Sequence, residues 1–166
     1  MAEKDFILKE KLEYSGLFDF PSFYSFAHSW FKERGYGVAE EKYAEKTDGN
    51  SRDIDIEWRA AKLLSDYFKA EHVITLRISG LVDVEAEIDN VKKKMNKGRI
   101  ILEMKGYLIR DPQSKWDSSV FSRFWRDVYN KYIIPSRTAH FRSEVDDDVK
   151  NFKEELKAFL ELIGRR

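Results

Sequence analysis

Apolar and charged residues alternate along four stretches of residues 51–111, the longest regular pattern in the chain. A two-residue period is typical of a β-strand that buries one face. The inward positions are Ile54, Ile56, Trp58 and Ala60, then Ala70, His72, Ile74, Leu76 and Ile78, then Val82, Val84, Ala86 and Ile88, and finally Ile100, Leu102, Met104, Gly106 and Leu108. The pattern predicts an antiparallel sheet with one apolar face that needs a cover.

Weaker signals extend this sheet. Residues 5–15 repeat the two-residue period, and residues 36–46 form a charged strand. Gly80 is expected to mark a bulge, because glycine inside a strand pattern often does so. The Asp, Asn and Gly residues that tolerate tight turns occur at 47–50, 89–90 and 96–98, and the last two of these turns would enclose a separate short strand at 91–95.

Apolar residues at helical spacing predict three helices. The first begins at Asp19 and Pro21 and ends at Gly35, and the second runs from Ser118 to Pro135. The third covers residues 137–163, with a break allowed near Arg142 and Ser143. Their apolar stripes are Phe23, Phe26, Ala27, Trp30 and Phe31; Phe121, Phe124, Trp125, Val128 and Tyr132; and Phe141, Val145, Val149, Phe152, Leu156, Phe159, Leu160 and Ile163.

The fold class that follows is α+β, as one domain spanning residues 1–166. An antiparallel sheet of five to seven strands, in the order strand, helix, strands and C-terminal helices, carries its helices on one face. This order resembles the START-like, helix-grip (SRPBCC) superfamily, whose curved sheet wraps a long C-terminal helix around an apolar cavity. The chain departs from that superfamily, since one helix follows the first strand instead of two and an extra helix precedes the last. It is also similar to small uncharacterised archaeal proteins, which implies no function.

Composition removes several classes of protein. Thirty Lys and Arg balance thirty Asp and Glu, so no global field attracts nucleic acid or an anionic membrane. The absence of Cys excludes disulfides, thiolate nucleophiles and cysteine metal sites. The chain shows neither a signal-peptide pattern nor an apolar run of the ~20 residues that span a bilayer, so a cytoplasmic protein is expected.

The charged fraction also bears on stability. Charged residues make up 36% of the chain and Gln occurs once, a bias found in proteins from hot environments. We therefore expect a thermostable protein with a melting midpoint above about 75 °C. A Lys- and Glu-rich protein from a moderate environment would have the same composition.

Seven residues are candidates for a ligand site inside the fold. Glu10 and His72 are polar groups on the apolar face, where a buried ionisable pair could bind a ligand or serve as an acid and base. The alternative is that each faces solvent or makes an ordinary hydrogen bond in the core. Small inward residues, Gly106 among them, leave room for an apolar cavity, but they also leave room for the helix rings, and a packed core is the favoured prediction. The candidates are Glu10, Trp58, His72, Met104, Gly106, Phe152 and Leu156.

A second candidate is a group of five cations that could hold phosphate from RNA or a lipid headgroup. They are Lys92, Lys93, Lys94, Lys97 and Arg99. No aromatic residue is interleaved for base stacking, so nucleic acid is disfavoured. Lysines that guard a sheet edge against aggregation explain the same pattern.

The remaining polar and aromatic candidates give weaker indications of a functional site. The acidic rows 53–57 and 146–148 are expected to be solvated surface, because an alternating row does not converge on a metal. Trp116 could anchor a partner or fold over the sheet edge. Three scattered histidines argue against zinc, and no catalytic triad order or Gly-rich phosphate loop occurs.

The function expected from these observations is a non-enzymatic binding module without metal or cofactor. One version carries a small apolar ligand or lipid, and the other is an adaptor for a protein partner. The alternatives are weak phosphate or nucleic-acid binding through residues 92–99, and an enzyme using a buried Glu/His pair. No residue is assigned a catalytic role.

Overall fold

A computed structural model gives the structure of residues 3–110 and 134–164, an α+β arrangement of five strands and two helices. The elements are β1 (Glu3–Phe18), α1 (Phe20–Glu33), β2 (Gly37–Asp48), β3 (Ser51–Leu63), β4 (Phe68–Ile88), β5 (Val91–Arg110) and α2 (Ile134–Gly164). The predicted fold class is therefore confirmed. Residues 118–133 of the helix expected from Ser118 to Pro135 lie outside the described residues, as does Trp116, and Pro135, its expected end, is the second residue of α2.

The five strands form one open antiparallel sheet in the order β1-β5-β4-β3-β2. Strands β2 to β5 follow one another as a meander, and β5 returns to pair with β1. Helix α1 therefore connects the two edge strands of the sheet. Helices α1 and α2 pack against the same face of the sheet, which we call the inner face; the opposite, charged face is the outer face.

The central strands β4 and β5 are 21 and 20 residues long, longer than the sequence pattern predicts. The bulge predicted at Gly80 is confirmed: its φ is +63°, and the β4–β5 register shifts between Ser79 and Val82. The turn predicted at 96–98 is wrong, because these residues continue β5. Gly98 lies opposite the bulge, where an added Cβ would sit 3.2 Å from the Ser79 carbonyl oxygen and from Leu81 Cα. A glycine at position 98 therefore allows the backbone of β4 to approach closely.

The other two predicted turns are confirmed. Asp89 and Asn90 have φ values of 53° and 64°, the left-handed conformation that a two-residue hairpin loop requires. Gly49 has a φ of 61° in the loop between β2 and β3. Asp, Asn and Gly tolerate this conformation better than other residues, which is why the sequence located both turns.

The core lies between the inner face of the sheet and the two helices. Helix α1 buries its predicted stripe except for half-buried Phe26, with Trp30 only 3% exposed. Helix α2 is continuous, so the break allowed near Arg142 and Ser143 does not occur. Its buried residues are Val145, Val149, Phe152, Leu156 and Leu160. Because they recur every three or four residues, one side of α2 lies along the sheet, chiefly over β1 and β5.

A polar clasp joins the two helices at the rim of this core. The Trp30 indole Nε1 donates to the Glu155 carboxylate of α2. The Arg34 guanidinium lies 3.9 Å from the Trp30 ring centroid and donates to the other Glu155 oxygen over 3.3 Å. The clasp gives the buried indole N–H the partner that it needs.

Candidate functional site

The residues proposed to line an apolar cavity lie in the packed layer between sheet and helix. Trp58, Met104, Phe152 and Leu156 are each at most 2% exposed. At Gly106 an added Cβ would lie 2.8 Å from Val145 Cγ1 and 2.9 Å from Val149 Cγ2 of α2. Real Cβ contacts are longer than this, so helix α2 takes up the space that a ligand would need beside Gly106.

Glu10 and His72 are not brought together as a pair. They lie on β1 and β4, with β5 between these strands. The Glu10 side chain is 30% exposed and accepts a hydrogen bond of 3.0 Å from Lys153 Nζ of α2. His72 is fully buried and has a different partner, described next. Each residue therefore matches the alternative prediction, that it makes an ordinary hydrogen bond within or beside the core.

His72 begins a chain of hydrogen bonds that crosses the inner layer. The Tyr36 hydroxyl donates to the carboxylate of Asp148 on α2, and its oxygen lies 3.0 Å from His72 Nε2. Because the hydroxyl gives its own proton to Asp148, it accepts the Nε2 proton of a neutral His72. Nδ1 of His72 is buried without a hydrogen-bond partner in the described part of the chain. These hydrogen bonds thus connect three parts of the fold: β4, the segment after α1, and α2.

Burial sets the protonation of both rings. It lowers the pKa of His72 to about 4, since an imidazolium in the core would lose its hydration. It also raises the pKa of Tyr36 well above its ordinary value, and the hydrogen bond to Asp148 raises it further. At neutral pH both groups are therefore uncharged, which suits a structural series of hydrogen bonds, and these two groups do not exchange protons near pH 7.

Sequence patterns missed Tyr36 and Asp148. Tyr36 precedes a strand, and Asp148 belongs to an acidic run that was expected to be solvated surface. That expectation describes exposed Asp147 but is wrong for half-buried Asp148, which receives the Tyr36 hydroxyl. Partners 112 residues apart leave no periodic signal, because only the packing of α2 brings them together.

Acidification should weaken the fold through His72. The unfolded state binds this proton near pH 6.5 and the folded state near pH 4, so stability is complete above pH 6.5 and falls as the pH drops between these values. Between pH 7 and pH 5 we expect His72 to account for a loss of about 2 kcal/mol in unfolding free energy.

Urea unfolding of the wild type and of His72→Gln at both pH values measures this loss. Gln retains a donor for Tyr36 and does not titrate, so the variant should lose about 2 kcal/mol less than the wild type over this range. Equal losses in the two proteins would show that His72 titrates alike in the folded and unfolded states.

The hairpin formed by β4 and β5 extends beyond its neighbours. Pairing of β1 with β5 ends at Asn96, and pairing of β3 with β4 ends at Leu81. The five residue pairs from Val84–Met95 to Ile88–Val91 therefore have a neighbouring strand on neither side within the described chain. We call residues 84–95 the arm; it is about 17 Å long at the usual rise per residue.

The five candidate cations lie on β5, in and beside the arm, and divide between its two faces. Lys92 and Lys94 point to one face, and Lys93, Lys97 and Arg99 to the other, because side chains alternate along a strand. Lys92 and Lys94 stand opposite Glu87 and Glu85 on β4. Arg99 pairs with Glu13 at 3.4 Å. The five charges do not converge on one surface.

The outer face carries a network of charges. Arg77 Nε bonds Asp55 at 3.0 Å, and Asp53 accepts a 2.9 Å hydrogen bond from the Gly80 amide in the bulge. Arg59 bridges Glu41 and Glu71 at 2.8 and 2.5 Å. In residues 3–110 and 134–164, no three His, Asp or Glu side chains are grouped to hold a metal ion.

Neither α1 nor α2, the helices of the described chain, has the length and apolarity that crossing a membrane requires. No model of a protein family matches this sequence, and no curated protein matches it either.

Proposed function

We propose that this protein is a non-enzymatic binding module that docks a protein partner through the arm, residues 84–95. The observation that supports this proposal is the arm's projection past both neighbouring strands, so that no described strand pairs with either of its edges. Apart from Met95, which is 7% exposed, the described side chains of the arm are exposed or half-buried. A two-stranded ribbon without a third strand or a well-packed face is marginally stable in water. A partner strand or surface would supply the missing contacts.

Exposure of apolar residues adds to this support. Val91 is 54% exposed, and Val84 and Ala86 are half-buried on the same face of the ribbon. Lys93 interrupts this face, as guarding lysines do on edges that must avoid aggregation. Small apolar side chains among charges are typical of a surface that binds a chosen partner and stays soluble without it.

The carrier and enzyme alternatives have less support. A carrier needs space beside Gly106, where the valines of α2 lie. An enzyme using Glu10 and His72 needs the two groups together, and each has another partner. A phosphate site needs converging cations, whereas the lysines alternate between faces. The cytoplasm is the compartment we propose, in keeping with the composition.

Shortening the arm tests the proposal. Asp83 and Asn96 pair across the hairpin and share a 2.7 Å hydrogen bond, so residues 84–95 can be replaced by Asn-Gly, a two-residue hairpin loop. The shortened protein should keep its melting midpoint within a few degrees, because the arm lies outside the helix-covered core. It should also lose its partner.

The measurement compares proteins that co-purify with the full-length and shortened chains from cells of the source organism. Any candidate is then purified and titrated against both forms. We expect binding to the full-length chain alone. If the partner bound the full-length and shortened chains with equal affinity, and both chains were folded, the arm would not be the docking site.

A further inference from the structure

The two free edges of the arm carry opposite charge. The β4 edge presents Glu85 and Glu87, and the β5 edge presents three consecutive lysines, Lys92, Lys93 and Lys94. All five side chains are exposed, and in the described chain none has an ion pair within 4.0 Å. The β5 edge is therefore a row of solvated cations beside backbone groups that no other described strand pairs with.

The space beside the β5 edge is one strand wide and in line with β1. Strand β1 pairs with β5 up to the Phe18–Asn96 pair, and the chain then turns into α1 on the inner face. The Phe20 amide at the start of α1 donates a 2.9 Å hydrogen bond to Asn96 Oδ1, and this bond holds the turn in place. An added strand beside residues 91–95 would thus continue the line of β1 about 4.8 Å from β5.

We propose that the β5 edge of the arm, residues 91–95, binds an extended acidic segment of a protein partner as an added β-strand. This inference rests on the proposed function and names the partner's chemistry. Backbone hydrogen bonds along the edge supply affinity, and the lysines select acidic side chains.

The alternation of the lysines favours a peptide over a nucleic acid. An added strand places its side chains on both faces in turn, so consecutive acidic residues can meet Lys92 and Lys94 on one face and Lys93 on the other. A phosphate backbone lying on one face would meet only part of this row. Peptide backbone also pairs with the free edge, which nucleic acid cannot do.

A second copy of the chain fits this edge less well. If the acidic β4 edge of one arm paired with the basic β5 edge of another in the antiparallel sense used throughout this sheet, both arms would point the same way, and the flanking strands β1 and β3 would compete for the space between the two sheets. Each strand needs about 4.8 Å in that direction. A single extended segment has no such conflict.

The chain itself provides the probe. Residues 82–88, Val-Asp-Val-Glu-Ala-Glu-Ile, already pair with β5 through its other edge. A fluorescent, end-capped peptide of this sequence is titrated into the full chain and followed by anisotropy. We expect saturable binding that weakens with salt, together with NMR shifts of the amides of residues 91–95 and not of the β2 edge strand.

A matched pair of double variants tests the lysines. Lys92→Glu with Lys94→Glu reverses two charges that face Glu87 and Glu85, and should weaken peptide binding about tenfold. Lys42→Glu with Lys46→Glu reverses two lysines of the edge strand β2, which face Glu57 and Asp53 on β3. This control pair should change the affinity for the peptide less than twofold. Equal effects of the two pairs would overturn the proposal.

Two further peptides separate strand addition from charge attraction. Replacing the central Glu by Pro removes a backbone donor and should abolish binding, and replacing the three acidic residues by Lys should do the same. Undiminished binding of the Pro peptide, tighter binding of a single-stranded oligonucleotide, or arm-dependent self-association in sedimentation would each overturn the proposal. If no peptide binds but shortening the arm still abolishes binding of a partner protein, the strand-addition proposal is wrong and the proposed docking function is retained.

Discussion

Replacing Trp30 with alanine is expected to lower the free energy of unfolding by about 4 kcal/mol. The ring is 3% exposed and packs edge-on against Phe31 and Phe152, with both ring centroids 5.0 Å away. Its removal leaves a cavity at the junction of α1, α2 and the sheet. It also takes away the donor to Glu155 and the surface on which Arg34 stacks.

Chemical denaturation of Trp30→Ala and Trp30→Phe separates these contributions. Phenylalanine keeps most of the packing and loses the hydrogen bond, so Trp30→Phe should cost only about 1–2 kcal/mol. A loss below about 1 kcal/mol in the alanine variant would mean that the stripe on α1 does not support the core.

Replacing Gly106 with leucine is expected to destabilise the protein by about 3 kcal/mol, at the upper end of the usual cost of overpacking. Even the first added carbon would meet Val145 and Val149 at 2.8 and 2.9 Å. The sheet and α2 must then move apart along the face where α2 crosses β5. Denaturation of the purified variant measures this cost.

A double-mutant cycle provides the control. Gly106→Ala combined with Val149→Ala should be less destabilising than the sum of the two single changes, because the second removes one of the two methyl groups that the first would strike, Cγ2 of Val149. Full tolerance of Gly106→Leu would mean that room exists at this position, and it would make the ligand carrier the leading function.

Strand patterns were informative wherever one face of an element is buried and the other is solvated. The alternation of Ile54, Ile56 and Trp58 placed them inward, and the stripe containing Trp30 placed it in the core; both placements are confirmed. Turn residues located the loops at Gly49 and at Asp89–Asn90, because few residues adopt positive φ without strain. The resemblance to the helix-grip superfamily stays a prediction, as does thermostability.

The failures have one physical cause, which is that local signals do not report distant backbone. Gly98 was interpreted as a turn, yet it is a glycine because the bulge at Gly80 approaches it from the neighbouring strand. The hydrogen-bond partners of His72 lie 36 residues away at Tyr36 and, through Tyr36, at Asp148. A periodic pattern relates residues within a single helix or strand, so it cannot show contacts between elements this far apart in the chain.

The sequence by itself determined the elements, their buried faces and most of the turns, because these depend on neighbouring residues and on the exchange of water for core. The tertiary structure alone decided that β5 pairs with β1 and that α2 fills the space beside Gly106. It alone also decided that residues 84–95 project as an arm. These features depend on where unconnected strands end relative to one another, and that is set by packing between segments far apart in the chain.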